Sequence, residues 1–164
     1  MRKRVVILAS GQGSLAQAII DASDLEIQIV AVVSDRADAQ VLERAKKSSI
    51  NTSVVALAAD RQQWNMQLFE AVDQYSPDLV VSAGFMRILS PEFVNHFPTI
   101  NSHPALLPDF PGAHAVRDAL DAGVSVTGTT IHWVDDGVDT GPIITQMEVP
   151  VLPEDTEATL HERI

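Results

Sequence analysis

The chain has no cysteine, a single tyrosine and only 11 basic residues among its 164. Without cysteine there can be no disulfide framework, thiolate zinc site or cysteine nucleophile, and a reducing, cytoplasmic setting is expected. Aromatic residues amount to 5%, so Val, Ile, Leu and Ala must fill the core. Long apolar runs are missing too. The basic leader Met1-Arg2-Lys3-Arg4 is followed only by Val5–Ala9, too short for a signal-peptide core or a membrane span. The 22 acidic residues give a formal charge of −11, a surface that disfavours nonspecific nucleic-acid binding and anionic membranes. Small-molecule partners are expected, with no nucleic acid and no membrane.

What is present suits one domain with a sizeable core, since 46% of the residues are apolar. Val5–Ala9, Ile27–Ser34, Thr52–Leu57 and Asp78–Ala83 read as strands. Leu15, Ala18, Ile19 and Ala22, then Val41, Leu42 and Ala45, then Trp64, Leu68, Ala71, Val72 and Tyr75 recur at helical spacing between them. The strands are continuously apolar rather than alternating, which indicates burial on both faces. The expected fold class is α/β: a Rossmann-like, doubly wound, mostly parallel sheet with helices on both faces. From residue 84, prolines at 91, 98, 104, 108 and 111 predict a loop-rich stretch, with a helix around Ala113–Asp121. Val126–Val134 and Ile143–Val151 read as an antiparallel pair forming the C-terminal edge of the sheet. Thr156 is placed to cap a last helix that is cut in its third turn at Ile164, which suggests a fragment or a trimmed chain.

Three stretches carry chemistry. Ser10-Gly11-Gln12-Gly13-Ser14-Leu15 joins the first strand to the first helix. Glycines allow a tight turn there, and free N–H groups at a helix start attract phosphate. The spacing also fits a dinucleotide fingerprint, with Asp35 where a ribose-binding acid would sit, and a purely structural turn remains a third reading. Gly84-Phe85-Met86-Arg87-Ile88-Leu89 follows a central strand and offers an apolar surface suited to a flat ring. Asn101 and His103, two apart in an extended run, project to one side, and Asp139 follows in the Gly/Asp-rich turn Asp135–Pro142. Together they can polarise a carbonyl, move a proton and keep an imidazole charged, as acyl-type transfer to an amine requires. A metal held by His103, His132 and Asp139 can be imagined, but no spacing demands one and none is expected.

These stretches, with Asn101-Ser102-His103-Pro104-Ala105-Leu106-Leu107-Pro108 and Asp136-Gly137-Val138-Asp139-Thr140-Gly141-Pro142 matching in order, resemble the glycinamide ribonucleotide formyltransferase family of folate-dependent purine biosynthesis. The resemblance covers the whole sequence. It implies the formyltransferase fold and transfer of a formyl group from the co-substrate 10-formyltetrahydrofolate to the glycinamide amine, with no metal. It further implies that the phosphate rests on Gly11, Gly13, Ser14 and Leu15. Folate would contact Arg61, Met86, Arg87, Ile88, Leu89 and Asn101, and the turn Asp135, Asp136, Gly137, Val138 and Asp139. Asn101 would stabilise the oxyanion, His103 act as general acid, and Asp139 hold His103 protonated. The family chain normally continues, so residues 1–164 are expected to be one formyltransferase domain lacking the family's C-terminal part, as a monomer or homodimer. Relatives that hydrolyse formyl-folate or formylate initiator tRNA, and a nonreactive nucleotide-binding module if the truncation is real, are the alternatives.

Overall fold

Each of the four apolar runs before residue 84 becomes a strand: β1 (Lys3–Leu8), β2 (Ile27–Ser34), β3 (Asn51–Val54) and β4 (Leu79–Ser82). The computed structural model describes all residues, Met1–Ile164, and these divide into two compact units, Met1–Thr99 and Ile100–Ile164. In the first unit the four strands are parallel and ordered β3-β2-β1-β4. Helices α1 (Ser14–Asp21), α2 (Gln40–Lys47) and α3 (Arg61–Asp73) alternate with them. Val5, Ile7 and Ala9 cluster with Val32, with Ala16 of α1 and with Val41, Leu42 and Ala45 of α2. Strand alternation sends Val6, Leu8 and Val80 to the opposite face, and these too are fully buried. Burial of each such side chain stabilises the fold by about 1.5–3 kcal/mol, which explains the apolar runs of β1, β2 and β4; β3, with Asn51, Thr52 and Ser53, is polar and at most half-buried.

α3 starts where Asp60 accepts hydrogen bonds from the Gln62 and Gln63 backbone N–H groups at 2.9 and 3.1 Å. Its Trp64 is completely buried, and the indole N–H donates to the Val55 carbonyl at 2.9 Å. The stretch expected to be loop-rich contains two elements, α4 (Pro91–His96) and the start of β5 (Thr99–His103). Pro91 begins α4 rather than breaking a helix, because Ser90 caps it by accepting from Phe93 N–H at 3.2 Å. Phe93 and Phe97 then pack against Phe69 of α3.

The second unit holds the rest of β5, α5 (Ala115–Asp121), β6 (Val126–Trp133), β7 (Ile143–Pro150) and α6 (Glu157–Arg163). β6 runs antiparallel to β5 and to β7, so the expected C-terminal antiparallel pair is present. Gly128 permits a close approach of β6 to β7: a Cβ there would lie 2.0 Å from the Met147 carbonyl oxygen. Val116, Val149 and Leu160 form a small core beneath α5 and α6. Thr156 caps α6 as the sequence indicates, exchanging hydrogen bonds with Thr159, and Arg163 grips Asp155 at 2.5 and 2.7 Å. Along β7 every residue except Val149 is exposed.

Candidate active site

The β5–β6 register decides which side chains meet in the second unit. Asn101 pairs with His132, and His103 with Thr130. Directly opposed residues of an antiparallel pair project to the same face, so Asn101, His103 and His132 share one side of the ladder. Asn101 Nδ2 lies 3.2 Å from His132 Nε2. The turn after β6 brings in Asp139, whose Oδ1 is 3.6 Å from His132 Nε2 and whose Oδ2 is 3.4 Å from His103 Nδ1. Amide, imidazole, carboxylate and imidazole thus run in one polar chain. Both rings are about 97% buried and the carboxylate is 12% exposed.

Local backbone fixes each group. Asp139 has φ +54°, a left-handed conformation that Asp tolerates better than most residues. Its Oδ2 also accepts from Gly112 N–H at 2.8 Å. His103 Nε2 donates to the Phe110 carbonyl at 2.8 Å, so both of its nitrogens face oxygen acceptors. His132 Nδ1 donates to the Trp133 carbonyl at 2.9 Å, which leaves Nε2 to face Asn101 and Asp139.

The charges follow from these contacts. Asp139 raises the His132 pKa above its ordinary value; burial opposes the shift and the Trp133 carbonyl adds to it. Burial pushes the Asp139 carboxyl upward, but His132, the Gly112 N–H and nearby His103 outweigh it, and the net shift is downward. Asp135 is lowered by the Thr140 hydroxyl at 2.7 Å and the Gly137 N–H at 3.0 Å. Its carboxylate therefore braces the turn, while Asp136, Gly137 and Val138 stand exposed beside it.

In the first unit the glycine-rich loop follows β1 as predicted. Gly13 has φ +75°, and a Cβ there would fall 2.4 Å from Val41 Cγ2, so only glycine fits. Two carbonyls of the loop are turned toward α2, with Gly11 O accepting from Val41 N–H and Gln12 O from Arg44 Nε at 2.7 Å. Ser14 and Leu15 open α1 and are exposed. The Gly84–Leu89 segment is tied to this loop, since Ser10 N–H donates to the Gly84 carbonyl and Met86 N–H to Ser10 Oγ at 2.9 Å. Arg61 stacks 4.6 Å above the Trp64 ring and donates to the Ile88 carbonyl. Asp35 is paired with Arg87 at 2.7 Å and is 1% exposed, a poor position for holding a ribose.

His132 is the residue that sequence reasoning placed only in an imagined metal set. Its signal was the alternation Gly128, Thr130, His132 along one face of β6, which has meaning only once the partner strand is known. No group of three or more His, Cys, Asp or Glu side chains has metal-binding geometry. No helix is long and apolar enough to cross a membrane. An open groove of about 800 Å³ beside β3 and α3, lined by Val54, Gln67 and Glu70 among others, contains none of the candidate site residues.

The formyl transferase family model matches residues 3–164. The phosphoribosylglycinamide formyltransferase of Mycobacterium tuberculosis is 52% identical over 167 residues, spanning 98% of this chain and 77% of that protein. The Escherichia coli protein of the same name is 46% identical, spanning 98% of this chain and 79% of its own length. Among solved structures, glycinamide ribonucleotide transformylase 1 from Symbiobacterium toebii matches with a TM-score of 0.95 at 41% identity, over 99% of this chain and 80% of that one.

Proposed function

The chain belongs to the formyl transferase family and has the fold of its glycinamide-ribonucleotide members, and from this premise we propose how it formylates phosphoribosylglycinamide in purine biosynthesis. The donor is 10-formyltetrahydrofolate. The observation that carries the reading is the polar chain of Asn101, His132, Asp139 and His103 on one face of β5–β6.

Attack of the glycinamide amine on the formyl carbon places negative charge on the formyl oxygen. Asn101 Nδ2 carries two N–H groups and lies on the same face as the two rings, so one of them can meet that oxygen. The attacking amine must lose a proton, and the departing folate nitrogen must gain one. His103 is the general acid for the departing nitrogen, while Asp139, ionised and in contact with both rings, balances their positive charge and relays the amine proton. Delivery from Nε2 requires that nitrogen to leave the Phe110 carbonyl it now binds.

Residue assignments elsewhere follow the same reading. Gly11, Gly13, Ser14 and Leu15 bind the substrate phosphate through backbone N–H groups. Arg61 and the Met86–Leu89 segment receive the folate, as does the Asp135–Asp139 turn. The activity is that of a cytoplasmic enzyme acting on small molecules.

Incubating the protein with 10-formyltetrahydrofolate and phosphoribosylglycinamide, and following folate absorbance, tests the reading. Tetrahydrofolate should accumulate only when the ribonucleotide is present, with formylated ribonucleotide in equal amount. Equal consumption of donor without the amine would instead make the protein a formyl-folate hydrolase.

A further inference from the structure

Asp35 is the acid that the sequence offers to a ribose hydroxyl, and the chemistry above makes no use of it. Its Oδ2 accepts from Arg87 Nε at 2.7 Å, and its Oδ1 is buried with no hydrogen-bond partner. A carboxylate withdrawn from water is costly unless its charge is compensated, so the pair is an expensive way to hold one loop.

The segment it holds is alternately anchored and displayed. Phe85 is buried and stacks on Trp64, with ring centroids 6.4 Å apart and planes at 11°. Leu89 is buried as well. Arg87 lies midway between these apolar anchors and is fastened by Asp35. Met86 and Ile88, in between, are 57% and 58% exposed. The backbone is held at the same places, by Ser10 Oγ at Met86 N–H and by Arg61 at the Ile88 carbonyl.

We infer that Asp35 is a positioning residue for the formyl donor: through Arg87 it holds the Gly84–Leu89 segment so that Met86 and Ile88 form a fixed apolar strip for the donor's flat ring. The inference rests on the reading that this segment receives the folate. Asp35 itself touches no substrate. Its charge matters because a hydrogen bond between opposite charges orients Arg87 more firmly than one to a neutral acceptor.

The test compares Asp35→Asn, Arg87→Ala, the double variant and Ile88→Ala with wild type, measuring kcat, both KM values and melting temperature. Asp35→Asn keeps the shape and an acceptor oxygen while removing the charge. It should raise the KM for 10-formyltetrahydrofolate about tenfold, leaving kcat and the KM for phosphoribosylglycinamide as in wild type. Arg87→Ala should raise the donor KM similarly, and the double variant no further. If Asp35→Asn fails to fold, Arg87→Lys, which keeps the charge and loses the Nε contact, carries the same expectation. An unchanged donor KM with a lowered melting temperature, or additive effects in the double variant, would overturn the inference. Should Ile88→Ala also leave the donor KM unchanged, the folate assignment of the segment fails with it.

Discussion

At the scale of single residues, Asp139 joins the two buried imidazoles and does so from a left-handed backbone. Asn tolerates that backbone at least as well as Asp, so Asp139→Asn separates chemistry from conformation. We expect kcat to fall roughly 10²–10⁴-fold, the range for a lost acid–base partner, a loss out of proportion to the modest fall in melting temperature that losing the ionic contacts brings. Steady-state kinetics alongside thermal unfolding check this, and a matching loss of stability would point to a structural role. The same contacts make stability depend on pH in two opposite ways. The His132 pKa is raised from 6.5, so the folded protein binds that proton more tightly than the unfolded chain. This stabilisation is complete below pH 6.5 and is lost as pH rises through the raised value. Asp139 is lowered from 3.8, so its contribution is present above that pH and is lost as pH falls through the lowered value. Melting curves of wild type and His132→Gln across pH should differ in slope on the alkaline side, and identical slopes would refute the assignment. Asn101, His103 and Asp139 were legible from residue type and spacing. His132 was not, because its partners are assigned by a strand register that no local pattern encodes.

At the scale of elements, β1, β2 and β4 were legible because burial on both faces leaves continuous Val/Ile/Leu runs; β3 lies at Asn51–Val54, shifted from the expected Thr52–Leu57, because it is polar and little buried. The elements between residues 84 and 111 were harder to read. Proline usually signals a break, yet Pro91 occupies the first turn of α4, where a missing N–H costs nothing. β5 was marked only by its end at His103, since Asn101, Ser102 and His103 are not strand-like in composition. Close packing of β6 on β7 gives an element-level prediction. A methyl group at Gly128 would strike the Met147 carbonyl oxygen at 2.0 Å and Leu106 Cδ2 at 2.7 Å. Backbone cannot yield as a side chain can, so Gly128→Ala should destabilise by about 1–3 kcal/mol or more. Urea unfolding should show the midpoint falling with an unchanged slope, and an unaltered midpoint would mean that the two strands slide apart freely.

For the whole molecule the governing quantity is the charge of −11. Self-repulsion of that size loosens the folded state and is screened at moderate ionic strength. The melting temperature should therefore rise as salt is added at pH 7, which differential scanning fluorimetry can follow, and a flat response would show that local ion pairs already offset the repulsion. The same charge has a second effect, set by β7. That strand hydrogen-bonds to β6 along one side and exposes Ile143, Ile144 and Met147. Open ladders of this kind recruit further strands, and like charge is what keeps one molecule from adding to the next. Salt that tightens each copy thus also lowers the barrier between copies, so the sample that melts highest should be the first to turn cloudy.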